Sequence, residues 1–424
     1  MHRPDRLTKS LPRAVLGVLA LAASALTGFQ TARAAPIEIL FVGNSYTFGR
    51  VDPVMSYNAA NVHDLTAGFN ATSSTGSNPW EAHPWGGIAG IFKQMTMQKG
   101  LDYDVSISAR NAASLRGQFL NTANAAWDLR GNVASRAWDV VVLQEQSDAT
   151  LPLGNGKNAN PAQFRAYANK FKDYIHDGSA QSYTEAQLYG SMAACQATGQ
   201  SVAQCNTTHT APANTHANPN AKVYLTATWA RPDMVYAHKI TTADTTSVDG
   251  RPIVDTSSAG GSAQLYYQSL AGMTKDLHDS IYGLAASNPD YAGLIGVGDA
   301  FQRAFDQRVI KTGGFYNANG TYTTPQAGAL MNLWWDDYLH ASKYGSYLDA
   351  LMQFGKITSL NPLSLGAKEI AAFDLGISSA DALTLQRIAA EQLGFSSVPE
   401  PGALSMLASG FGLIGWTRTR RQRH

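Results

Sequence analysis

A serine that is to act as a nucleophile needs an imidazole within hydrogen-bond reach, and the imidazole needs a carboxylate to hold its tautomer. Two stretches of the 424-residue chain supply these three groups. In "IEILFVGNSYTFGR" an apolar run enters a Gly43-Asn44 turn and then presents Ser45, so one small hydroxyl stands at the tip of a candidate strand. In "WWDDYLHASKYGSYLDALMQF", Asp337 precedes His340 by three residues, so one tight turn lets the carboxylate orient the ring. Such a set would attack a carbonyl carbon and pass the hydroxyl proton to His340. The Ser45 N–H would then help to hold the developing oxyanion. Taken alone, each fragment is commonplace: most loop serines cap or turn, and an isolated Asp-x-x-His is more often an exposed turn.

Bringing these groups together requires a fold that returns the end of the chain to its beginning. Apolar runs at 37–42, 103–108, 139–143, 222–227 and 294–297 predict strands. They alternate with predicted helices at 88–98, 161–177, 262–284 and 342–353, the pattern of a parallel sheet with crossover helices. Sites in such sheets form at the carboxyl ends of the strands, where Ser45 stands. Two insertions, 61–83 and 150–220, read as long and poor in regular structure, and "TTHTAPANTHANPNA" has the composition of an irregular surface loop. Loops of this length either shape a binding cleft or decorate the surface. At 379–393, "SADALTLQRIAAEQL" predicts a helix starting at an N-cap Ser379, packed on the main domain or forming a small module of its own.

A net charge of +1, with 15% charged residues, gives no electrostatic reason to expect nucleic acid as a partner. The basic start, the apolar "AVLGVLALAASALTGF" and the small residues "ARA" read as a secretory signal peptide over 1–34, with an uncleaved anchor as the alternative. Export puts the two cysteines, Cys195 and Cys205, where thiols oxidise, and they are expected to pair. Free thiols or half a metal site are the alternatives, but no histidine pair stands beside them at ligand spacing. At the other end "SSVPEPG", the short apolar "ALSMLASGFGLIGW" and the basic "TRTRRQRH" follow one another. An apolar segment stopped by arginines reads as one held in the inner membrane with its charges inside. The three-part ending resembles the PEP-CTERM sorting signal of Gram-negative bacteria, with Pro399, Glu400 and Pro401 as its motif. The resemblance implies processing by an exosortase and a body exposed in the periplasm, at the cell surface or outside the cell.

A Gly-x-Ser just after the first strand, with Asp-x-x-His on a late loop before a final helix, resembles the SGNH (GDSL-like) hydrolases, in particular a bacterial branch with "GNSYT". The resemblance implies a three-layer α/β/α sandwich with a central parallel sheet, flavodoxin-like in order, and esterase chemistry without a cofactor. It implies Ser45 as nucleophile, His340 as base and Asp337 as its orienter. Asn44 stands where the family usually has Asp. "QEQS" falls where the family has Gly-x-Asn-Asp, so Gln146 takes the place of the oxyanion-holding Asn, with Gln144 as the fallback. "NAASLRG" puts Ala113, or Ala112, where a glycine would donate its N–H, and Gly117 lies slightly late. Asn44, Gln144 and Trp229 are expected to face substrate. Trp80, Trp85, Trp334 and Trp335 are candidates for a sugar-binding wall, although packing is the commoner fate of tryptophan. Asp299 reads as a helix cap before a catalytic group.

The domain reading is a signal peptide at 1–34, a hydrolase domain at 35–360, a helical extension at 361–396 and the sorting signal at 397–424. No metal is expected: there is no HExxH, no cysteine framework and no carboxylate close to His209 or His216. No phosphate-binding glycine loop occurs either. The expected activity is hydrolysis of an ester, with an O-acyl group on a carbohydrate as substrate. A glycan-binding surface protein without turnover, and an acyltransferase using the same triad, are the alternatives.

Overall fold

A computed structural model describes residues 35–68, 82–123, 128–156, 158–235, 267, 269–312, 330–335 and 337–395. The signal-peptide and sorting-signal readings, and Trp80, lie outside the described residues. The strands are β1 (Ile37–Gly43), β2 (His63–Asp64), β3 (Tyr103–Ala109), β4 (Val140–Gln144), β5 (Gln181–Thr184), β6 (Thr208–Ala211), β7 (Lys222–Ala227) and β8 (Tyr291–Gly296). Six form one sheet in the order β2-β3-β1-β4-β7-β8, every pair parallel.

The apolar runs explain that sheet. In β1, Ile39 and Phe41 face one side while Leu40 and Val42 face the other, and all four are buried. A strand covered on both faces must be apolar at consecutive positions, which is why the sequence shows a run and no alternation. On the first face, Ile39, Phe41, Val105 and Val142 meet two helices, α1 (Gly87–Gln98) and α2 (Lys343–Thr358). Phe92 of α1 stands edge-on to Phe41 with ring centres 5.4 Å apart, and burying one such ring contributes about 2–3 kcal/mol. On the second face, Leu40, Val42, Leu143 and Leu225 meet Phe119, Phe164 and Phe171, the last two from the helix Pro161–His176. Helices on both sides of a parallel sheet make the three-layer α/β/α arrangement.

Most predicted elements form close to where they were expected. The last main-sheet strand begins earlier, at Tyr291, and ends at Gly296 because Val297 already opens the helix Val297–Asp306. The segment 150–220 is richer in structure than expected. Beyond the helix Pro161–His176 it holds an antiparallel β5-β6 ribbon and three short helices, two of them closed by capping boxes at Thr184/Gln187 and Ser201/Gln204. The Cys195–Cys205 bridge joins two of these helices. The helix Ser379–Gln392 is capped by Ser378, one residue before the expected cap, whose Oγ accepts the Asp381 N–H at 3.1 Å. Leu385, Ile388 and Ala389 of that helix share a core with Leu351 and Phe354, so it is no separate module. Among the described residues no helix is long and apolar enough to cross a membrane.

β1 pairs with β3 on one side and β4 on the other, so the connections leaving β1 and β4 run to opposite sides. That reversal opens a crevice at their carboxyl ends.

Candidate active site

The turn after β1 is built on close approach. A Cβ on Gly43 would lie 1.9 Å from Thr47 Oγ1 and 2.6 Å from Gln144 Oε1, so only glycine fits. Asn44 then extends, caps the short helix Ser45–Phe48 by accepting the Tyr46 N–H at 3.1 Å, and donates its amide to Ala113 O at 3.2 Å. A carboxylate could accept but could not donate here, which accounts for Asn at this position. Ser45 begins the helix and is 6% exposed.

Far along the chain, Asp337 folds back on its own turn. Its Oδ1 accepts the N–H groups of Leu339 and His340, both at 2.9 Å, and its Oδ2 lies 2.6 Å from His340 Nδ1. Tyr338, between them, has φ 54°, a left-handed conformation that costs about 1 kcal/mol for a non-glycine residue. His340 Nε2 stands 2.9 Å from Ser45 Oγ. With Nδ1 carrying the ring proton and donating it to Asp337 Oδ2, Nε2 is free to accept from the serine hydroxyl. Burial pushes the Asp337 carboxyl up, but the imidazole and the two backbone N–H groups outweigh it and hold the carboxyl below its ordinary value. It therefore stays an anion beside the ring.

Sequence reasoning missed a buried ion pair within electrostatic reach of Tyr46 and Asp337. Arg231 pairs with Asp233 through Nε and Nη2, at 3.0 and 2.6 Å, and its Nη1 donates to Ser147 Oγ at 3.1 Å. Burial opposes the Arg231 charge, and the Asp233 carboxylate beside it more than offsets that. The signal lay in "WARPD", where Arg and Asp two residues apart leave a strand end. Glu145 is a second such residue: its Oε1 accepts the N–H of Leu115 at 3.0 Å and of Gln146 at 2.7 Å, tying the loop after β4 to the loop after β3. Burial raises its carboxyl to about 7 against those two hydrogen bonds.

The oxyanion expectations need revision in part. The Ala113 N–H closes a turn onto Arg110 O at 3.2 Å and is already committed. In that loop Ala112 has φ 55°, and its N–H has no acceptor among the described residues. The Ser45 N–H likewise has no acceptor among the described residues. Gln144 is not a free donor: its Oε1 accepts from Asn44 N–H and Thr47 Oγ1, and its Nε2 donates to Glu145 O. The partly exposed Gln146 keeps a side-chain amide without a partner among the described residues.

Asn44, Gln144 and Trp229, expected to face substrate, are buried, and their polar groups are engaged with other parts of the chain. Each is a buried structural link, and Trp229 is fully covered because its indole stacks between Tyr46 and Phe301. Trp85 and Trp334 are buried as well, since the first stacks on Phe48 and the second donates to Ala230 O at 3.0 Å. Among the described candidates for a sugar-binding wall, Trp335 alone is exposed, at 37%. Asp299 sits in the first turn of Val297–Asp306 and meets His278 Nδ1 at 2.9 Å, apart from the triad. His216 Nδ1 meets Ala134 O, but His209, expected to have no carboxylate close by, has its Nε2 3.5 Å from Glu185 because β6 pairs with β5; no group of side chains fit to hold a metal ion is gathered among the described residues.

No family model and no curated protein matches this sequence. Among solved structures the chain is similar to a candidate SGNH hydrolase from Slackia heliotrinireducens, at 14% identity over 76% of this chain and 99% of that one, with a TM-score of 0.36. It is also similar to a DUF4886 family protein from Bacteroides uniformis, at 12% identity over 87% of this chain and 98% of the other, with a TM-score of 0.40. Likenesses this distant carry nothing about the site.

Proposed function

We propose that this chain is an exported serine esterase of the SGNH type. One observation carries the reading: Ser45 Oγ, His340 Nε2 and His340 Nδ1, Asp337 Oδ2 form a continuous line of 2.9 and 2.6 Å contacts between opposite ends of the sequence. In the first half-reaction Ser45 Oγ attacks the ester carbonyl while its proton passes to Nε2. Asp337 stabilises the imidazolium that results, and the oxyanion is held by the N–H groups of Ser45 and Ala112 and the amide of Gln146. Collapse of the tetrahedral adduct breaks the ester C–O bond, and His340 returns the proton to the leaving alcohol. Water then attacks the acyl-serine by the same steps, with His340 as base, and frees the acid and Ser45.

The substrate class follows from the address and the crevice. An exported protein with polar loops and an exposed Trp335 beside the triad suits an O-acyl, in particular an acetyl, group on a carbohydrate. The C-terminal segment is proposed to act as a sorting signal, held briefly in the inner membrane until an exosortase cuts near Pro399–Pro401. Intact mass of the secreted protein checks this, and an uncut tail refutes it.

The esterase reading is tested on the purified chain with p-nitrophenyl acetate and longer acyl esters. Wild type is expected to turn over and Ser45→Ala to lose about a million-fold in kcat. Wild-type silence on all esters refutes the reading and favours a glycan-binding protein. Acyl groups appearing on an added acceptor alcohol, in place of free acid, would make the chain an acyltransferase.

A further inference from the structure

The acid-base loop is held from outside by a device that its own residues do not supply. The Leu339 carbonyl, one residue before His340, accepts two hydrogen bonds: from Tyr46 Oη at 2.8 Å and from Trp229 Nε1 at 3.0 Å. Both lone pairs of that oxygen are thereby used. The two donors are themselves locked, since the Tyr46 ring stacks on the indole at 4.1 Å and 9°, and the indole stacks on Phe301 at 5.0 Å and 8°. Tyr46 also stands edge-on to the His340 ring, 5.6 Å away. The Leu339 N–H goes to Asp337 Oδ1, so both polar groups of this residue are tied.

Tyr46 is the residue directly after Ser45, on the same short helix. We infer that Tyr46 is a positioning residue: its hydroxyl, together with the Trp229 indole, clamps the loop carrying the imidazole to the turn carrying the nucleophile. The clamp has a job because other contacts of that loop, among them the Asp337 turn, Trp335 N–H on His340 O at 2.8 Å and Trp334 Nε1 on Ala230 O at 3.0 Å, do not run to the helix that carries Ser45. None of those contacts joins it to Ser45 directly. The two pieces lie far apart in sequence, and the Tyr46 to Leu339 bond spans 293 residues. Tyr46 is 5% exposed, so little of it is open to water that could replace the hydroxyl. A displacement of about 1 Å between reacting groups lowers turnover on the order of a hundredfold.

This inference rests on the esterase reading for its kinetic arm, and a second arm is independent of it. Tyr46→Phe keeps the stacked ring and removes only the donor. Trp229→Phe removes the other donor and is the second variant should the first fail to fold. Tyr57→Phe, which loses a hydroxyl bonded to Asp374 at 2.9 Å and not to the loop carrying His340, is the control. Active sites are counted with a fluorophosphonate, so loss of folded enzyme does not register as loss of rate. Per counted site, kcat on p-nitrophenyl acetate is expected to fall about ten- to hundredfold in Tyr46→Phe, with KM within about twofold. An unchanged kcat per counted site overturns the inference. If wild type turns over no ester, the esterase reading falls and the His340 Nδ1 proton resonance decides the clamp. Broadening or loss of that resonance in Tyr46→Phe supports it, and an unaltered resonance overturns it.

Discussion

Replacing Asp337 by Asn tests the site with almost no change of shape. The Asn oxygen can keep accepting the Leu339 and His340 N–H groups that Oδ1 holds at 2.9 Å, so the turn survives. The other atom becomes an NH2 facing His340 Nδ1, where a carboxylate oxygen now sits at 2.6 Å. An amide donating to Nδ1 selects the tautomer with its proton on Nε2, and that nitrogen faces Ser45 Oγ at 2.9 Å. Nε2 can then no longer accept. The electrostatic loss is of similar weight: an imidazolium and a carboxylate with charges about 4 Å apart attract by about 4 kcal/mol at an effective dielectric constant of about 20. That energy corresponds to about a thousandfold in rate, and the wrong tautomer brings the expected fall in kcat nearer to ten-thousandfold. The assay is steady-state hydrolysis of p-nitrophenyl acetate per active site counted, with thermal melting to show that the fold is kept. A kcat within tenfold of wild type in a folded Asp337→Asn protein would refute the assignment of Asp337 and, with it, the direction of proton transfer.

Two further outcomes follow from the same geometry. Gly43→Ala puts a Cβ 1.9 Å from Thr47 Oγ1 and is expected to destabilise the fold by about 1–3 kcal/mol in urea titration; no measurable loss would show that the turn after β1 yields easily. Glu145 has a folded-state pKa raised to about 7 from 4.5, so its contribution to stability is full below the unfolded value and is lost as pH rises through 7, a swing of at most about 3 kcal/mol. Glu145→Gln keeps an acceptor for Leu115 and Gln146 and removes that swing, so the variant is expected to equal or exceed wild type in stability at pH 8 and to show a flatter profile between pH 4.5 and 7. A profile parallel to that of wild type would show that Glu145 does not carry the effect.

Much of the scaffold was legible because its signals are local. The run from Ile37 to Gly43 had to be a doubly covered strand, and a serine after Gly43-Asn44 had to stand at its carboxyl end. The Asp337 turn was legible for the same reason, since both partners lie within one turn of chain. The ribbon and short helices at 181–211 were less legible, because strands of four residues and helices of four to six carry too little periodicity to stand out from a polar loop.

What no stretch of sequence contains is the meeting of distant pieces. Trp229 follows a strand end and so read as a cleft residue; packing between Tyr46 and Phe301 put it in the core. Ala113 lost its expected free N–H to a turn, and Gln144 lost its amide to Asn44, Thr47 and Glu145. Residue types and short spacings named the reacting groups, since chemistry depends on functional groups. Which donors remain free, and how far Ser45 stands from His340, depended on how the loops at the strands' carboxyl ends pack against the loop before Lys343–Thr358. Packing of that kind is a sum over contacts hundreds of residues apart, and only the folded chain carries it out.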